Sequence, residues 1–291
     1  MNWIKNISLI VAFTIISVSA HAQNYTVKAY KFYQVKDFDS AKVYIDSAVF
    51  NSDEGKYSKT WQMRGIIYRN LESKYGIKYR EIALNSFLEA RKVDTLNEFM
   101  PEISSYIENL NVKYYNDAVD LLYAGNLEQS EKTYNTYKNN YWKYLDKNKD
   151  FSNTDIQYYN TLAGAWFKRN SLVEPGKKRE IYDNAIKYFG EVLKIDSMNY
   201  SANYGIGISY YNQGADIVVG MDPFSTDIEE IDRIQDESMA LFKKGEPYLK
   251  RAFEINPNEK EVVEGLTGIY YSLNEEKEFE YFQQLLKKME E

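Results

Sequence analysis

Few side chains of this sequence can take part in acid–base, nucleophilic or metal chemistry. Cysteine is absent, and His21 is the only histidine. The lack of cysteine excludes disulfides, thiolate zinc sites and thiol nucleophiles, and histidine is otherwise the commonest general base and metal ligand. Carboxylates, lysine and tyrosine remain. We therefore predict that the chain is not an enzyme and that it holds no metal and no cofactor.

Two acidic motifs resemble sites that use carboxylates. The run Asp146–Asp150 places oxygen ligands at alternate positions, as a calcium loop does. Such a loop needs glycine at its sixth position and glutamate at its twelfth, where this chain has Phe151 and Gln157. Glu229 and Glu230 are neighbours, so on a helix they point to different faces. We interpret the first motif as a polar loop and the second as solvated charges.

The composition is that of a packed protein with an acidic surface. The chain has 291 residues, of which 44% are hydrophobic and 27% charged, and its formal net charge is −7. These proportions exclude a disordered chain. Nucleic acids and anionic membrane surfaces attract basic patches, so the acidic excess argues against both as partners.

The first residues are typical of a secretory signal peptide. Lys5 precedes an uncharged stretch, Ile7–Ala20. The small residues Ala20 and Ala22 stand at the two positions that a signal peptidase reads, so cleavage would make Gln23 the new N-terminus. The stretch is shorter than the roughly 20 residues of a spanning helix, although an uncleaved anchor is the alternative. We predict a signal peptide at 1–22 and no membrane insertion after its cleavage. The predicted location is the bacterial periplasm or cell envelope, and secretion from the cell is the alternative.

A helical repeat runs through the rest of the chain. In three segments a small residue is followed four positions later by a bulky one, and three positions after that by another core residue. The three sets are Ala41, Ile45 and Ala48; Ser130, Tyr134 and Tyr137; and Ala185, Phe189 and Val192. Steps of four and three place each set on one face of a helix. The small residue allows a neighbouring helix to approach closely.

The helix before each segment has a pattern of its own. Two sets are spaced by four and three: Trp61, Gly65 and Tyr68, and Asn203, Gly207 and Tyr210. The three-residue step from the small residue to the bulky one recurs in Gly164 with Phe167, Gly268 with Tyr271, Ala29 with Phe32, and Ala118 with Leu121. Glycine inside a helix costs about 1 kcal/mol relative to alanine. Its recurrence here predicts tight contact between helices.

These paired patterns resemble the tetratricopeptide repeat, a helix–turn–helix unit of about 34 residues. The resemblance is clearest where Ala90 and Asp94 close one unit, and where Ala252 and the helix-ending Pro257 close another. It implies an all-α fold, a right-handed α-solenoid of about six degenerate units over residues 23–291. The units start near Gln23, Ser58, Asn111, Gln157, Tyr200 and Glu261. An ordinary all-helical bundle is the alternative.

The structural signature positions of these units are small or bulky residues at the helix contacts. They are Ala41, Trp61, Gly65, Tyr68, Ala83, Phe87, Ala118, Gly164, Ala185, Phe189, Gly207, Tyr210, Ala252, Pro257, Gly268 and Tyr271. The last segment, Glu276–Met289, lacks the small residue and is rich in charged residues. We therefore predict that it forms a polar cap on the solenoid.

An insertion at about 213–238 separates the two helices of the fifth unit. Ile228, Ile231, Ile234, Met239 and Leu241 form a loose apolar stripe at helical spacing. We expect this stripe to pack on the solenoid and to lengthen the helices of that unit. A partner-binding arm is the alternative.

The resemblance also implies which residues face a partner, because the first helix of each unit lines the concave side in this family. The groove residues that the resemblance implies are Tyr30, Tyr33, Arg69, Tyr115, Tyr158, Lys168, Arg169, Tyr204 and Tyr211. Neighbouring positions in the same frame include Leu122, Tyr123 and Thr161. Tyrosine offers broad apolar contact and one hydroxyl at low entropic cost, and arginine or lysine would hold a partner's carboxylates.

The function that follows is display of a groove to another molecule. We predict a non-catalytic scaffold or adaptor of the bacterial envelope that binds an extended peptide or partner segment. The alternative is a periplasmic protein that holds a small ligand or glycan by aromatic stacking. The lysine and asparagine set with which chaperone-binding members of the family grip a terminal carboxylate is not found here.

Overall fold

The protein is described by a computed structural model that covers residues 24–173, 178–222 and 226–290, so the predicted signal peptide at 1–22 lies outside the described residues. Within these ranges the chain forms twelve α-helices and no β-strand. The helices are α1 (Tyr25–Gln34), α2 (Phe38–Phe50), α3 (Ser58–Tyr75), α4 (Ile77–Val93), α5 (Met100–Tyr123), α6 (Leu127–Tyr144), α7 (Ser152–Lys168), α8 (Arg179–Ile195), α9 (Tyr200–Val219), α10 (Ile228–Ile255), α11 (Lys260–Ser272) and α12 (Glu276–Glu290). A 3-10 turn, Arg169–Leu172, follows α7. Among the described helices, five pairs pack as hairpins, namely α1–α2, α3–α4, α7–α8, α9–α10 and α11–α12, and α2, α8 and α10 each pack on the helix that follows. This arrangement confirms the predicted all-α solenoid class.

The contacts separate the chain into two compact units. Unit 1 holds the described residues up to Asn116 together with Thr136–Asn148, and unit 2 holds Asp117–Asn135 together with the described residues from Lys149 onward. Helices α5 and α6 therefore contribute residues to both units. Each unit has its own core.

Three hairpin turns share one geometry. After α1, the Asp37 N–H donates to the Phe32 carbonyl at 3.0 Å and the Lys36 N–H donates to the Tyr33 carbonyl at 2.9 Å. The turns after α5 and α11 repeat both bonds, from Asn126 to Leu121 and Gly125 to Leu122, and from Glu275 to Tyr270 and Asn274 to Tyr271. The turn residues Lys36, Gly125 and Asn274 have positive φ. This Schellman arrangement satisfies the last carbonyls of one helix and folds the next helix back against it.

The core of unit 1 is built where α1 to α5 meet. Ala29, Ala41 and Ile45 are fully buried between α1, α2 and α3. Phe87 and Ile107 are fully buried between α3, α4 and α5. Small residues of one helix thus lie beside bulky residues of the next, as the repeat pattern requires.

The core of unit 2 is closed at its end by α12. Leu249 of α10 and Leu266 and Tyr270 of α11 are fully buried, and Phe282 is the buried residue of α12. The opposite face of α12 carries exposed charges such as Lys287. This distribution is that of a polar terminal helix over a stack of hairpins.

The predicted small-residue contacts occur in both units. A Cβ atom added to Gly65 would lie 2.6 Å from the Phe87 ring, and one added to Gly207 would lie 2.6 Å from Cγ of Leu249. In the third hairpin, Ser130 Oγ donates to the Ala118 carbonyl at 2.6 Å. The alanines of the signature, Ala41, Ala83, Ala118, Ala185 and Ala252, are all fully buried. No larger side chain fits at these positions without moving a neighbour.

Two signature residues differ from the prediction. A Cβ atom on Gly164 would meet nothing within 4 Å, so this glycine is not a tight helix contact. Tyr271 is 70% exposed, whereas Tyr270 is fully buried and stacks on Phe282 at 5.5 Å. The buried face of α11 therefore carries Tyr270 instead of the predicted Tyr271, because α12 packs against the face on which Tyr270 lies.

Two unit boundaries also differ from the prediction. The third unit begins at Met100 rather than near Asn111, and the fourth begins at Ser152 rather than near Gln157. Pro101 lies in the first turn of α5. A backbone N–H at this position would have no intrahelical acceptor, so proline, which lacks the N–H, is tolerated there. The longer first helices account for the irregular spacing of the repeat.

The insertion lengthens the fifth hairpin, as expected. It continues α9 to Val219 and begins α10 at Ile228, so the two helices have 20 and 28 residues. Ile234 and Leu241 are buried, whereas Ile228 is exposed. The stripe therefore packs on the hairpin over most of its length.

None of the described helices combines the length and the apolar composition that a membrane crossing requires.

Candidate functional site

The predicted groove residues of unit 1 mainly contact other side chains. Tyr30 is half exposed, and its ring stacks on that of Tyr33 at 6.5 Å. The Arg69 guanidinium lies 5.8 Å from the centre of the Tyr106 ring. Tyr115 packs against Tyr137 at 5.4 Å. These residues do not converge on one cavity.

Tyr158 of unit 2 lies in the core and not in a groove. Its side chain is 3% exposed, and its ring stacks on Tyr134 at 3.8 Å. Its hydroxyl is 2.8 Å from Ser130 Oγ, which already donates to a carbonyl, so the phenol is the donor. Burial raises the pKa of the Tyr158 phenol well above its usual value. The assignment of Tyr158 as a partner-binding residue is therefore wrong, because α7 turns this face toward α6.

Tyr204 and Tyr211 of α9 are half-buried and pack against the core formed by α10 and α11. The Tyr211 ring contacts Phe242 at 5.6 Å, and Tyr204 lies parallel to Tyr200 at 6.2 Å. Burial raises the pKa of Tyr204. These rings are used mainly in packing and present only part of their surface to a ligand.

One open pocket of about 500 Å³ does gather several predicted groove residues. We name it the α7 pocket. It is lined by Leu122, Tyr123, Gly125, Leu127, Asn160, Thr161, Gly164, Ala165, Lys168, Arg169 and Leu172. All of these residues belong to unit 2. Among them, Lys168 and Arg169 are groove residues that the sequence predicts, and Leu122, Tyr123 and Thr161 are neighbouring positions of the same repeat frame.

The pocket is positioned by a turn on one side and by a face of α7 on the other. Gly125, with φ of +79°, reverses the chain between α5 and α6. Opposite it, Gly164 and Ala165 have side chains too small to fill the space. Nothing lies within 4 Å of a Cβ placed on Gly164, so this position of α7 faces open space.

The apolar part of the pocket has a buried wall and an exposed lip. Leu122 and Leu127 are buried, whereas Tyr123 is 77% exposed and Leu172 is 82% exposed. Large apolar side chains with this exposure beside a concave surface are typical of a contact site. The lip belongs to two segments, the end of α5 and the 3-10 turn, so it flanks the pocket on two sides.

The charged part of the pocket consists of two cations with different surroundings. The Arg169 guanidinium donates to the Gly125 carbonyl and lies 4.5 Å from the centre of the Trp166 ring, so it is held in place. Lys168 is exposed and forms no ion pair with any residue of the described chain. The ammonium group is thus available to an anion that enters the pocket.

Asn160 lies at the side of the pocket toward α9. Its Nδ2 atom is 3.3 Å from Asn199 Oδ1, and its own Oδ1 atom is buried without a hydrogen-bond partner in the described residues. A buried acceptor without a donor costs about 1–3 kcal/mol. The pocket therefore has an unpaired acceptor in its surroundings as well as an unpaired cation.

Asp146 and Asp150, which the sequence places in a calcium-like motif, accept hydrogen bonds from nearby backbone N–H groups. Asp146 Oδ1 accepts from the Asn148 N–H at 2.9 Å, and Asp150 Oδ1 accepts from the Ser152 N–H at 2.8 Å. Phe151, at the position where a calcium loop needs glycine, is buried. In the ranges that the structure describes, no three acidic or histidine side chains are placed to hold a metal ion.

The sequence missed part of the pocket. Gly125 comes from the turn between α5 and α6 and Leu127 from the start of α6, whereas the groove positions implied by the repeat lie on first helices alone. Leu172 lies in the 3-10 turn after α7, where the apolar pair Leu172 and Val173 was the sole signal. Side chains of turns and linkers contribute to a site through tertiary placement, which the helical period does not encode.

Comparisons with known proteins give the chain no family. No protein-family model matches it, and no curated protein sequence matches it significantly. Similar solved structures include the human IFIT1 dimer with m7Gppp-AAAA (15% identity, 89% of this chain, 58% of that chain, TM-score 0.32) and PilW, a widely conserved type IV pilus biogenesis factor (14%, 91%, 91%, TM-score 0.20). A third is the TPR2AB domain of yeast Sti1 in complex with pHSP90 (16%, 94%, 100%, TM-score 0.28).

This chain spans 58% of the length of the IFIT1 chain that it matches. Identities of 14–16% with TM-scores of 0.20–0.32 assign neither a family nor a function to it.

Proposed function

We propose that this protein is a non-catalytic scaffold or adaptor that binds an extended segment of a partner protein in the α7 pocket. One observation carries the proposal: a buried apolar wall and an exposed apolar lip adjoin Lys168, which has no ion-pair partner among the residues that the structure describes. A segment with an apolar side chain close to an acidic one complements this surface in shape and charge.

The lining of the pocket supports binding rather than catalysis. The side chains that face it in the described chain are apolar, amide, hydroxyl or cationic, and none is a carboxylate. The Thr161 hydroxyl donates to the Gln157 carbonyl at 2.8 Å, so it is engaged within α7. Among the described residues that line the pocket, no carboxylate accompanies Lys168 and Tyr123 to form the acid–base pair that most hydrolytic mechanisms need.

A peptide fits these observations better than a glycan. Sugar rings stack on flat aromatic faces, and the predicted aromatic residues Tyr158, Tyr204 and Tyr211 direct their rings against neighbouring side chains. The exposed lip combines Tyr123 with the aliphatic Leu172, which favours apolar peptide side chains. Binding of an oligosaccharide at the pocket is the competing outcome of the experiment below.

Selection of peptides on the purified protein tests the proposal. A phage-displayed random peptide library should yield sequences that pair an apolar residue with Asp or Glu. Tyr123→Ala and Lys168→Met should each weaken a selected peptide about tenfold, since anchors and charged contacts are worth roughly 1.5–3 kcal/mol. The matched controls Tyr271→Ala and Lys244→Met change equally exposed residues away from the pocket and should bind normally. Equal binding by all four variants, or selection of oligosaccharides instead of peptides, would contradict the proposal.

Photo-crosslinking identifies the partner in the native host. A photoreactive amino acid at Leu172 should capture one protein, whereas the same group at Leu96, which is 85% exposed in unit 1, should not capture it. The same partner at both positions would indicate proximity without a specific site.

The proposed setting is the bacterial envelope after removal of residues 1–22. Lys5, the uncharged stretch and the Ala20-His21-Ala22 motif support export, and the net charge of −7 argues against nucleic acid as the partner. N-terminal sequencing of the protein from the periplasmic fraction should begin at Gln23. A chain that retains Met1 would contradict export by this route.

A further inference from the structure

A second pocket lies in unit 2, where the insertion has lengthened α9 and α10. It has a volume of about 190 Å³ and is more enclosed than the α7 pocket. Its walls come from the start of α8, from the C-terminal part of α9 and from the first half of α10. We name it the Lys178–Asp216 pocket, and its polar lining residues are Lys178, Arg179, Tyr182, Gln213, Asp216 and Glu237.

The pocket brings two cations and two anions to one cavity. Lys178 Nζ lies 3.3 Å from Asp216 Oδ1, and Arg179 Nη1 lies 3.5 Å from Glu237 Oε1. Optimal charge-assisted hydrogen bonds are about 2.7–2.9 Å long. Both pairs are therefore longer than optimal. The Lys178 ammonium group has three donors, and the Arg179 guanidinium, which also lies 4.0 Å from Asp183 Oδ2, has five, so both keep donors for a further acceptor.

Each of the two carboxylates also has a partner other than Lys178 and Arg179, and for Glu237 that partner is the cationic Arg233. The Tyr182 hydroxyl donates to Asp216 Oδ2 at 2.7 Å, and Arg233 Nη1 lies 3.3 Å from Glu237 Oε2. Tyr182 is 2% exposed, so the Asp216 carboxylate is fixed by a buried group. A positive group that entered the pocket would meet acceptors already in position.

The cationic side is strengthened by the start of α8. The helix begins at Arg179, and the Lys178 side chain makes no capping hydrogen bond. The first N–H groups of a helix carry a partial positive charge that favours an anion. Lys178, Arg179 and the helix start together form one positive end of the pocket, and Asp216 and Glu237 form the negative end.

An apolar floor lies between the two ends. Leu241 is 8% exposed and Ile217 is half-buried, and both line the cavity. The cavity can therefore accommodate an aliphatic group together with two opposite charges. A carboxylate, an ammonium group and an aliphatic side chain on one small skeleton are the chemistry of a free amino acid.

We propose that the Lys178–Asp216 pocket binds a free amino acid with an aliphatic side chain. The ligand carboxylate lies at Lys178, Arg179 and the start of α8. The ligand ammonium group lies at Asp216 and Glu237, and its side chain packs on Ile217 and Leu241. This site is separate from the α7 pocket, so it does not depend on the proposed peptide function.

Calorimetry and thermal unfolding with three related probes test the proposal. L-leucine should bind and raise the melting temperature, because a ligand that binds the folded state alone stabilises it. Leucinamide lacks the carboxylate and N-acetyl-leucine lacks the ammonium charge, so each should bind at least about tenfold more weakly. No response to L-leucine at millimolar concentration, or equal responses to all three probes, would overturn the proposal and leave the charges as a purely structural network.

Variants locate the binding. Glu237→Gln should weaken L-leucine about tenfold, whereas Glu229→Gln, at an exposed position on the same helix, should not change it. Asp216→Asn should have the larger effect, and Glu237→Gln keeps the test valid if Asp216→Asn does not fold. Lys168→Met should leave L-leucine binding unchanged, and a loss in that variant would assign the ligand to the α7 pocket instead.

Discussion

Gly65 of α3 lies directly against the ring of Phe87 of α4. A Cβ atom on Gly65 would come within 2.6 Å of Cε1 and Cζ of that ring, and Phe87 is fully buried with no free space to turn into. The glycine therefore sets how closely the two helices of the second hairpin approach. A methyl group at this position has to push them apart.

We expect Gly65→Ala to lower the free energy of unfolding by about 1–2 kcal/mol. Overpacking costs about 1–3 kcal/mol, and the better helix propensity of alanine returns up to about 1 kcal/mol. Urea unfolding followed by circular dichroism measures the change. The control is Gly164→Ala. The added Cβ atom has no other atom within 4 Å, so this variant should be more stable than the unmodified protein by about 0.5–1 kcal/mol. A stabilised Gly65→Ala variant would show that the helices are not in contact there.

Asp46 couples the stability of unit 1 to pH. Its carboxylate accepts from Arg64 Nε at 2.9 Å, from the Tyr68 hydroxyl at 2.8 Å and from Lys42 Nζ at 3.0 Å. Burial alone would raise the pKa of Asp46, but these three hydrogen bonds outweigh it and the pKa is lowered. A lowered pKa gives stability that is present above the unfolded value of about 3.9 and is lost as the pH falls through the folded value.

Asp46→Asn should therefore destabilise the protein by about 1–3 kcal/mol at neutral pH. It should also flatten the loss of stability below about pH 4. Melting temperatures between neutral pH and acid measure both effects. Asp53→Asn changes a carboxylate that is 87% exposed, and its acid profile should match that of the unmodified protein. An unchanged acid profile in Asp46→Asn would exclude this group as a source of acid lability.

Glu72 and Arg80 form a nearly buried ion pair between α3 and α4. The side chains are 11% and 5% exposed, and Arg80 Nε donates to Glu72 Oε1 at 2.8 Å. Lys113 Nζ donates to the second carboxylate oxygen at 2.8 Å. Burial opposes ionisation of Glu72, but the bonds from Arg80 and Lys113 hold its pKa below the ordinary value.

Glu72→Met should cost about 3–5 kcal/mol, because it removes the Glu72 carboxylate from the nearly buried Arg80 guanidinium. The double variant Glu72→Met with Arg80→Met removes both charges and should be more stable than Glu72→Met alone. Denaturant unfolding of the two single variants and the double variant gives the coupling. Additive effects would mean that the Glu72–Arg80 contact contributes no coupling energy.

Glu54 holds the start of α1. Its carboxylate accepts from the Tyr25 N–H at 2.9 Å, the Thr26 N–H at 2.7 Å and the Thr26 hydroxyl at 2.6 Å. A carboxylate at the start of a helix satisfies its first N–H groups and complements the helix dipole. Glu54→Ala should speed hydrogen exchange throughout α1 by about fivefold, equivalent to about 1 kcal/mol. The neighbouring change Asp53→Ala should not affect exchange in α1, and equal acceleration in both variants would point to the loop rather than to Glu54.

The helical period predicted the hairpins because it fixes which face of each helix is buried. Small residues such as Ala41 and Gly207 could be identified as helix contacts from spacing alone, since a residue four positions away on the same face must share their surroundings. The same reasoning fails for residues near the edge of a face. The repeat positions predict a partly exposed Tyr158 and a buried Tyr271, whereas Tyr158 is buried and Tyr271 is exposed. A small rotation of a helix about its axis is enough to move a ring at the edge of a face between solvent and the core.

The sequence by itself determined the all-α class, the pairing of helices into hairpins, the small residues at their contacts and the absence of cysteine chemistry. Those properties depend on local spacing and composition. The tertiary structure alone decided where side chains from distant segments meet: Tyr123 and Leu172 beside Lys168, and Lys178 and Arg179 across from Asp216 and Glu237. A cavity depends on turn geometry and on the residue-by-residue register between helices, and neither is encoded in the period of a single helix.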